Sequence, residues 1–131
     1  GSSFNVAGEF VNTATGTLDA SKVENTEVSG TLINAGQAQY KDMTIHAGGN
    51  SINSGYEKGE WLKIEEGGAH SNSGMSIWNK LNIAGSLTNE KDGNLDATKV
   101  ENTEVTGNLT NNRQLRRYDH QRRRCLRQQG L

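Results

Sequence analysis

The sequence has no proline, one cysteine and few aromatic residues, which make up 5% of its 131 positions. No run of 18 apolar residues occurs, so no segment is expected to insert into a membrane. The single Cys125 excludes an internal disulfide framework. A hydrophobic content of 31% would normally indicate disorder, but disordered chains usually carry a strong charge excess and the net charge here is -1. A β-solenoid fits both facts, because stacked coils need only a thin core.

An internal duplication is the strongest pattern present. Residues 18–34 (LDASKVENTEVSGTLIN) and 95–111 (LDATKVENTEVTGNLTN) are identical at 13 of 17 positions, at an offset of 77. A shorter motif, apolar–small–Gly–x–apolar–x–Asn, recurs at residues 6–12, 28–34, 83–89 and 105–111, with two weaker copies between the second and the third. It aligns six asparagines: Asn12, Asn34, Asn53, Asn72, Asn89 and Asn111. Their separations of 22, 19, 19, 17 and 22 residues suit successive coils of a parallel β-helix.

These spacings predict an all-β fold, a right-handed parallel β-helix (β-solenoid) covering residues 4–112, with about five to six coils of 17–22 residues. The aligned asparagines are predicted to form a hydrogen-bonded ladder with a rise of about 4.8 Å per coil. The alternative is that asparagine is simply common in turns. Four apolar residues are expected to point inward: Phe10, Leu32, Leu87 and Leu109. Five glycines are expected to supply positive φ at turns: Gly30, Gly36, Gly55, Gly74 and Gly85.

The two ends of the chain differ in texture from the repeats. Residues 1–3 are interpreted as the remnant of an expression tag, and residues 113–131 hold seven arginines although no arginine precedes Arg113. A basic arm for nucleic acid or an anionic surface is one interpretation of this tail. A frameshift or cloning artefact is the favoured one, because CGN arginine codons allow a shifted frame that reads GSYDATTINGGGVYDN, which resembles the repeats. Residues 1–112 carry 7 lysines and 14 acids, so nucleic-acid binding is not expected.

One segment, residues 56–70, departs from the repeat and concentrates aromatic and charged residues. Exposed aromatic rings beside carboxylates can form a carbohydrate-stacking platform, so four aromatic residues are the candidate ligand-binding residues. These are Tyr40, Tyr56, Trp61 and Trp78. The competing interpretation is that Trp61 or Trp78 fills a thin part of the core while the charges face solvent.

Catalysis is not expected. Asp19 and Asp96 occupy equivalent repeat positions, which indicates solvated positions on successive coils rather than a unique acid pair for sugar chemistry. His46 and His70 have no third ligand at a recognisable metal spacing, so neither a metal nor another cofactor is expected. An ice-binding solenoid would need regular threonine rows, but Thr13, Thr15 and Thr103 do not recur at one register. A phage tail-spike segment would be an obligate trimer, whereas an adhesin segment is expected to be monomeric. Open strand edges at the ends of the solenoid predict possible end-to-end self-association.

The coils of the type GTLxNxG at residues 30–36, the asparagine positions and the Gly/Ser/Thr/Asn texture resemble passenger domains of bacterial autotransporter adhesins and related type V secreted proteins. The resemblance implies export through the outer membrane and display on the bacterial cell surface. It also implies a structural or adhesive role in a stalk that attaches to a host or bacterial surface glycan or a protein receptor. The alternative is a carbohydrate-binding or polysaccharide-degrading β-helix.

Overall fold

The computed structural model describes residues 1–97 and 103–113. Every regular element in this part of the chain is a β-strand, and parallel strands stack as a β-solenoid of about five turns. The predicted all-β solenoid is therefore confirmed, while its handedness stays a prediction. No helix in the described residues is long and apolar enough to cross a membrane. The arginine-rich tail beyond Arg113 lies outside the described residues.

Two parallel sheets wind around the axis. The larger sheet contains β1 (Ser3–Val6), β3 (Thr17–Val28), β5 (Gln37–Ile45), β7 (Tyr56–Ile64), β9 (Met75–Ile83), β11 (Asn94–Ala97) and β12 (Thr103–Val105). The other contains β2 (Glu9–Asn12), β4 (Thr31–Asn34), β6 (Asn50–Asn53), β8 (Ala69–Asn72), β10 (Ser86–Asn89) and β13 (Asn108–Asn111). In each sheet a strand pairs with its counterpart in the neighbouring coil, and both β11 and β12 pair with β9.

Each long strand consists of two arms. β7 pairs with β9 through residues 56–59 and again through residues 61–64, and Glu60 between them has no partner in the register. Core side chains alternate along each arm, but the last core residue of the first arm and the first of the second are three residues apart, as Tyr40 and Met43 are in β5. We call the first arms the first face of the solenoid, the second arms the second face, and the short strands the third face.

The core is a narrow column of inward-pointing side chains. Val28, Ile45, Ile64 and Ile83 follow one another in register on the second face and are at most 2% exposed. On the third face Leu32 and Leu87 are buried, and Phe10 and Leu109 pack against the core while partly buried. All four residues predicted to point inward therefore contribute to the core.

The turn glycines are needed because they have no side chain, and not because they adopt a positive φ. Among the described residues positive φ occurs only at Gly48 (83°) and Gly67 (87°), so the expected positive φ at the five turn glycines is wrong. A Cβ on Gly30 would lie 2.1 Å from the carbonyl oxygen of Gly8, and one on Gly55 would lie 2.1 Å from that of Gly36. The other three, Gly36, Gly74 and Gly85, meet backbone oxygens at 2.1–2.3 Å. Stacked turns leave no room for a side chain at these positions.

Candidate ligand-binding strip on the second face

The six aligned asparagines lie at the end of each third-face strand and form one continuous ladder. Each side-chain nitrogen donates to the side-chain oxygen of the next asparagine, at 2.8, 2.8, 2.8, 2.9 and 3.0 Å from Asn12 to Asn111. Asn53 also donates to the carbonyl oxygens of Gly55 at 3.2 Å and Met75 at 2.9 Å, and is fully buried. Because these side-chain amides already form hydrogen bonds between successive coils, the ladder has a structural role.

Two of the four aromatic candidates lie in the core. Tyr40 is 4% exposed and Trp78 is 0% exposed, and their rings stack with centroids 6.0 Å apart and an interplanar angle of 10°. Burial raises the pKa of the Tyr40 phenol above its usual range, and the charge of Glu57 adds to this. Their assignment to an exposed stacking platform is therefore corrected: a ligand outside the solenoid cannot reach either ring.

A polar network lies beside these rings. The Glu57 carboxylate bonds His70 Nε2 at 2.6 Å and accepts a bond from Ser76 Oγ at 2.6 Å, and Trp78 Nε1 donates to Ser76 Oγ at 2.8 Å. Glu57 and His70 are each 1% exposed, so the expectation that the charges of residues 56–70 face solvent is wrong for both.

The same network contains a serine, a histidine and an acid, but it is not a nucleophilic triad. A triad places the histidine between the hydroxyl and the carboxylate. Here Ser76 and His70 both bond the same oxygen of Glu57, and all three side chains are buried. The arrangement satisfies polar groups within the core, although His70 Nδ1 has no hydrogen-bond partner in the described part of the chain.

Trp61 is the one candidate that lies on the outside of the solenoid within a cluster of charges. It is the first residue of its arm on the second face, where it pairs with Asp42 on one side and Lys80 on the other. The ammonium nitrogens of Lys63 and Lys80 each lie 4.1 Å from the centre of a Trp61 ring. Both distances are within the range of cation–π attraction. We call Trp61, Lys63 and Lys80 the Trp61 strip.

A cleft of about 360 Å³ adjoins the strip, and Lys63 belongs to both. It lies where the four-residue turn Glu65–Gly68 is followed, one coil later, by the shorter turn at Ala84 and Gly85. The narrower coil leaves a step in the surface. The cleft is lined by Thr44, Lys63, Ile64, Glu65, Asn82, Ile83, Ala84, Glu104 and Thr106.

Tyr56, the remaining candidate, is half-buried on the first face, where it pairs with Gln37 and Met75. The bend at Glu60 separates it from the Trp61 strip, so the four predicted residues do not form one site. Sequence reasoning missed Lys63 and Lys80. The available signal was their spacing, because Lys63 follows Trp61 by two residues and Lys80 follows it by 19, the length of a coil.

His46 connects three coils at the corner beside the cleft. Its Nε2 lies 3.0 Å from Glu27 Oε1 and its Nδ1 lies 2.9 Å from Glu65 Oε1. Hydrogen bonds accepted first by the Glu65 carboxylate and then by that of Glu27 raise the pKa of His46, against a smaller opposing effect of burial. Across residues 1–97 and 103–113, no group of three His, Cys, Asp or Glu side chains is arranged to hold a metal ion.

No protein-family model, curated protein or solved structure matches this chain. The function is therefore inferred from the geometry of the ladder, the Trp61 strip and the cleft.

Proposed function

We propose that this chain is a non-enzymatic segment of an exported bacterial surface adhesin, in which stacked coils extend and stiffen a stalk that attaches to a surface glycan or a protein receptor. The observation that carries the proposal is the continuous asparagine ladder from Asn12 to Asn111. It joins every described coil to the next along one line, in addition to the backbone pairing of the two sheets. Solenoids of this kind gain length by adding coils that contact only their neighbours.

The duplication supports the same role because it repeats an interface as well as a sequence. β2 lies on β4 with Phe10 opposite Leu32 and Asn12 opposite Asn34. β10 lies on β13 in the same way, with Leu87 opposite Leu109 and Asn89 opposite Asn111. A block of 77 residues therefore returns to an equivalent coil, and blocks of that length are compatible units of extension.

Duplicating one block tests the extension role. A chain that joins residues 1–94 to residues 18–131 gains 77 residues and four coils, so its maximum dimension in solution X-ray scattering should increase by about 19 Å at about 4.8 Å per coil. A control insert that omits residues 45–54 breaks the asparagine spacing and should not extend the rod. An elongated chain that melts without cooperativity, or that scatters as a random coil, would contradict the proposal.

The adhesive role needs a separate measurement. Bacteria that display the chain through an unrelated outer-membrane anchor should be retained on glycan-coated glass under flow better than bacteria that display the anchor alone. Retention no better than that of the anchor-only bacteria, on both glycan-coated and receptor-coated glass, would remove adhesion from the proposal and leave only the extension role.

Glycan cleavage is the second candidate. Glu65 and Glu104 both line the cleft, and a pair of carboxylates flanking the scissile bond is what most glycoside hydrolases use. Glu65 is hydrogen-bonded to His46, whereas no ion pair or side-chain hydrogen bond of Glu104 is found in the described residues. A release of reducing ends from polysaccharides that disappears in Glu104→Gln would favour this candidate over the adhesin.

A further inference from the structure

We propose that the Trp61 strip and the adjoining cleft bind an acidic glycan in which carboxylate-bearing sugars alternate with neutral ones. The inference rests on the proposed adhesive function and names the chemical class of its ligand. Three observations carry it: two cations on the Trp61 indole, uncharged polar side chains in the adjoining cleft, and two acids that also line that cleft.

The two cations are held in place without a carboxylate partner. Within the described residues every ion pair involves a histidine, so neither Lys63 nor Lys80 is neutralised by an acid there. Both ammonium groups are instead positioned by the indole of Trp61. An anion that approaches the ring meets both charges with the lysine side chains already ordered, which lowers the entropy lost on binding.

The cleft beside Lys63 offers hydrogen bonds to hydroxyl groups. Thr44, Asn82 and Thr106 line it, and the side-chain oxygen of Asn82 is buried without a partner in the described part of the chain. That oxygen is closed to solvent, so the groups that a sugar hydroxyl meets in the cleft are the threonine hydroxyls, each of which can donate or accept a hydrogen bond. A neutral sugar in the cleft would thus follow a charged sugar on the strip.

The acids of the cleft exclude a uniformly charged polymer. Glu65 follows Lys63 by two residues and Glu104 lies opposite Asn82 in the next coil, so both acids line the cleft. Residues 1–112 also carry twice as many acids as lysines. A nucleic acid or a fully sulfated glycan would place a negative charge against them on every unit. An alternating glycan places its carboxylate over the lysines and its hydroxyls against the glutamates.

Titration with a hyaluronan hexasaccharide, in which uronate and neutral amino sugar alternate, tests the proposal by calorimetry on the full chain. The variant Lys63→Met with Lys80→Met keeps the aliphatic stems and should weaken binding about tenfold or more, because two charge-assisted contacts are lost. Lys58→Met, on the first face, is the matched control and should bind as the parent does. Circular dichroism melts verify that all variants fold.

Four outcomes would overturn the proposal. These are no binding of the hexasaccharide, equal binding by the double variant, equal binding of the uncharged maltohexaose, and tighter binding of single-stranded DNA than of the hexasaccharide. None of them affects the scattering test of the extended chain, which uses no ligand. Failure of the ligand assignment and failure of the stalk role are therefore distinguishable.

Discussion

At the scale of single residues, large and small side chains alternate along one column of the core. Ala20 pairs with Tyr40, and Trp78 lies between Gly59 and Ala97 in register. The rings of Tyr40 and Trp78 belong to coils that are two apart, and they meet because Gly59 between them has no side chain. Close packing of this kind leaves no volume for an added methyl group.

Gly59→Ala should therefore destabilise the protein by about 1–3 kcal/mol, the usual cost of overpacking a core. A Cβ at this position would lie 2.2 Å from Trp78 Cζ3. Gly8→Ala is the matched control, since a Cβ there meets nothing within 4 Å. Denaturant unfolding should also show that Gly59→Ala costs less in a Trp78→Leu background, and strictly additive costs would contradict the clash.

His46 makes stability depend on pH in a defined direction. Its two glutamate partners raise its pKa in the folded state, so this contribution is fully present below the unfolded value of about 6.5 and is lost as pH rises through the folded value. The side chain is 35% exposed, so we expect only about 0.5–1 kcal/mol. Thermal melts should show a larger loss of stability between pH 6 and pH 8 in the parent than in His46→Gln. Identical pH profiles would rule the effect out.

At the scale of elements, much of the fold follows from the sequence. The spacing of Asn34, Asn53 and Asn72 predicts both the coils and the ladder, because one side chain per coil recurs at one position of the third face. The same logic predicts that Leu32 and Leu87 are buried, since alternation holds within a short strand.

The candidate site could not be predicted in the same way, because the bend in each long strand resets the alternation. Trp78 is the last residue before the bend in β9 and points inward, whereas Trp61 is the first residue after the bend in β7 and points outward. Nothing in the local sequence marks Glu60 as the corner. The burial of Glu57 could not be predicted either, because it depends on His70 and Ser76 in other strands.

The ladder predicts that two asparagines of β6 differ sharply in their contribution to the stability of the protein. Asn53→Ala removes a buried amide that bonds asparagines on both sides, so it should cost about 3–5 kcal/mol once the orphaned partners are included. Asn50→Ala on the same strand removes an exposed side chain and should change stability by less than about 0.5 kcal/mol. Similar costs for the two variants in urea unfolding would show that the ladder contributes little.

At the scale of the whole molecule, the solenoid formed by residues 1–97 and 103–113 has open strand edges at both ends. Within these residues β1 and β2 each pair with a strand on one side only, as do β12 and β13 at the other end. The ladder likewise starts at Asn12 as a donor and reaches Asn111 as an acceptor. A further coil placed on β13 would pair its edge and offer an acceptor to the Asn111 amide. End-to-end association of copies through these edges stays a prediction.

The shifted frame of residues 113–131, which lie outside the described residues except for Arg113, would encode such a coil. With suitable codons, including CAA for Gln128, the residues after Asn112 read GSYDATTINGGGVYDN in that frame. Asparagine then falls at position 128, 17 residues after Asn111 and within the observed spacing of 17–22. We predict that the encoding DNA permits this frame. We also predict that a chain restored to it has a higher thermal midpoint than one ending at Asn112, because stability in a solenoid sums over coil interfaces.

Comparing the restored chain with one ending at Asn112 distinguishes a real coil from a repeat-like sequence that arises by chance from the codons. Arginine codons of the CGN type force Gly, Asp, Ala or Val in the shifted frame, so part of the repeat-like texture follows from codon structure alone. That texture by itself does not predict an asparagine at the ladder position or a gain in stability. A stop codon in the shifted frame, no asparagine codon at position 128, or an unchanged melting midpoint in the restored chain would therefore refute the frameshift. A raised midpoint that is lost when asparagine at position 128 of the restored frame is replaced by alanine would assign the gain to the continued ladder.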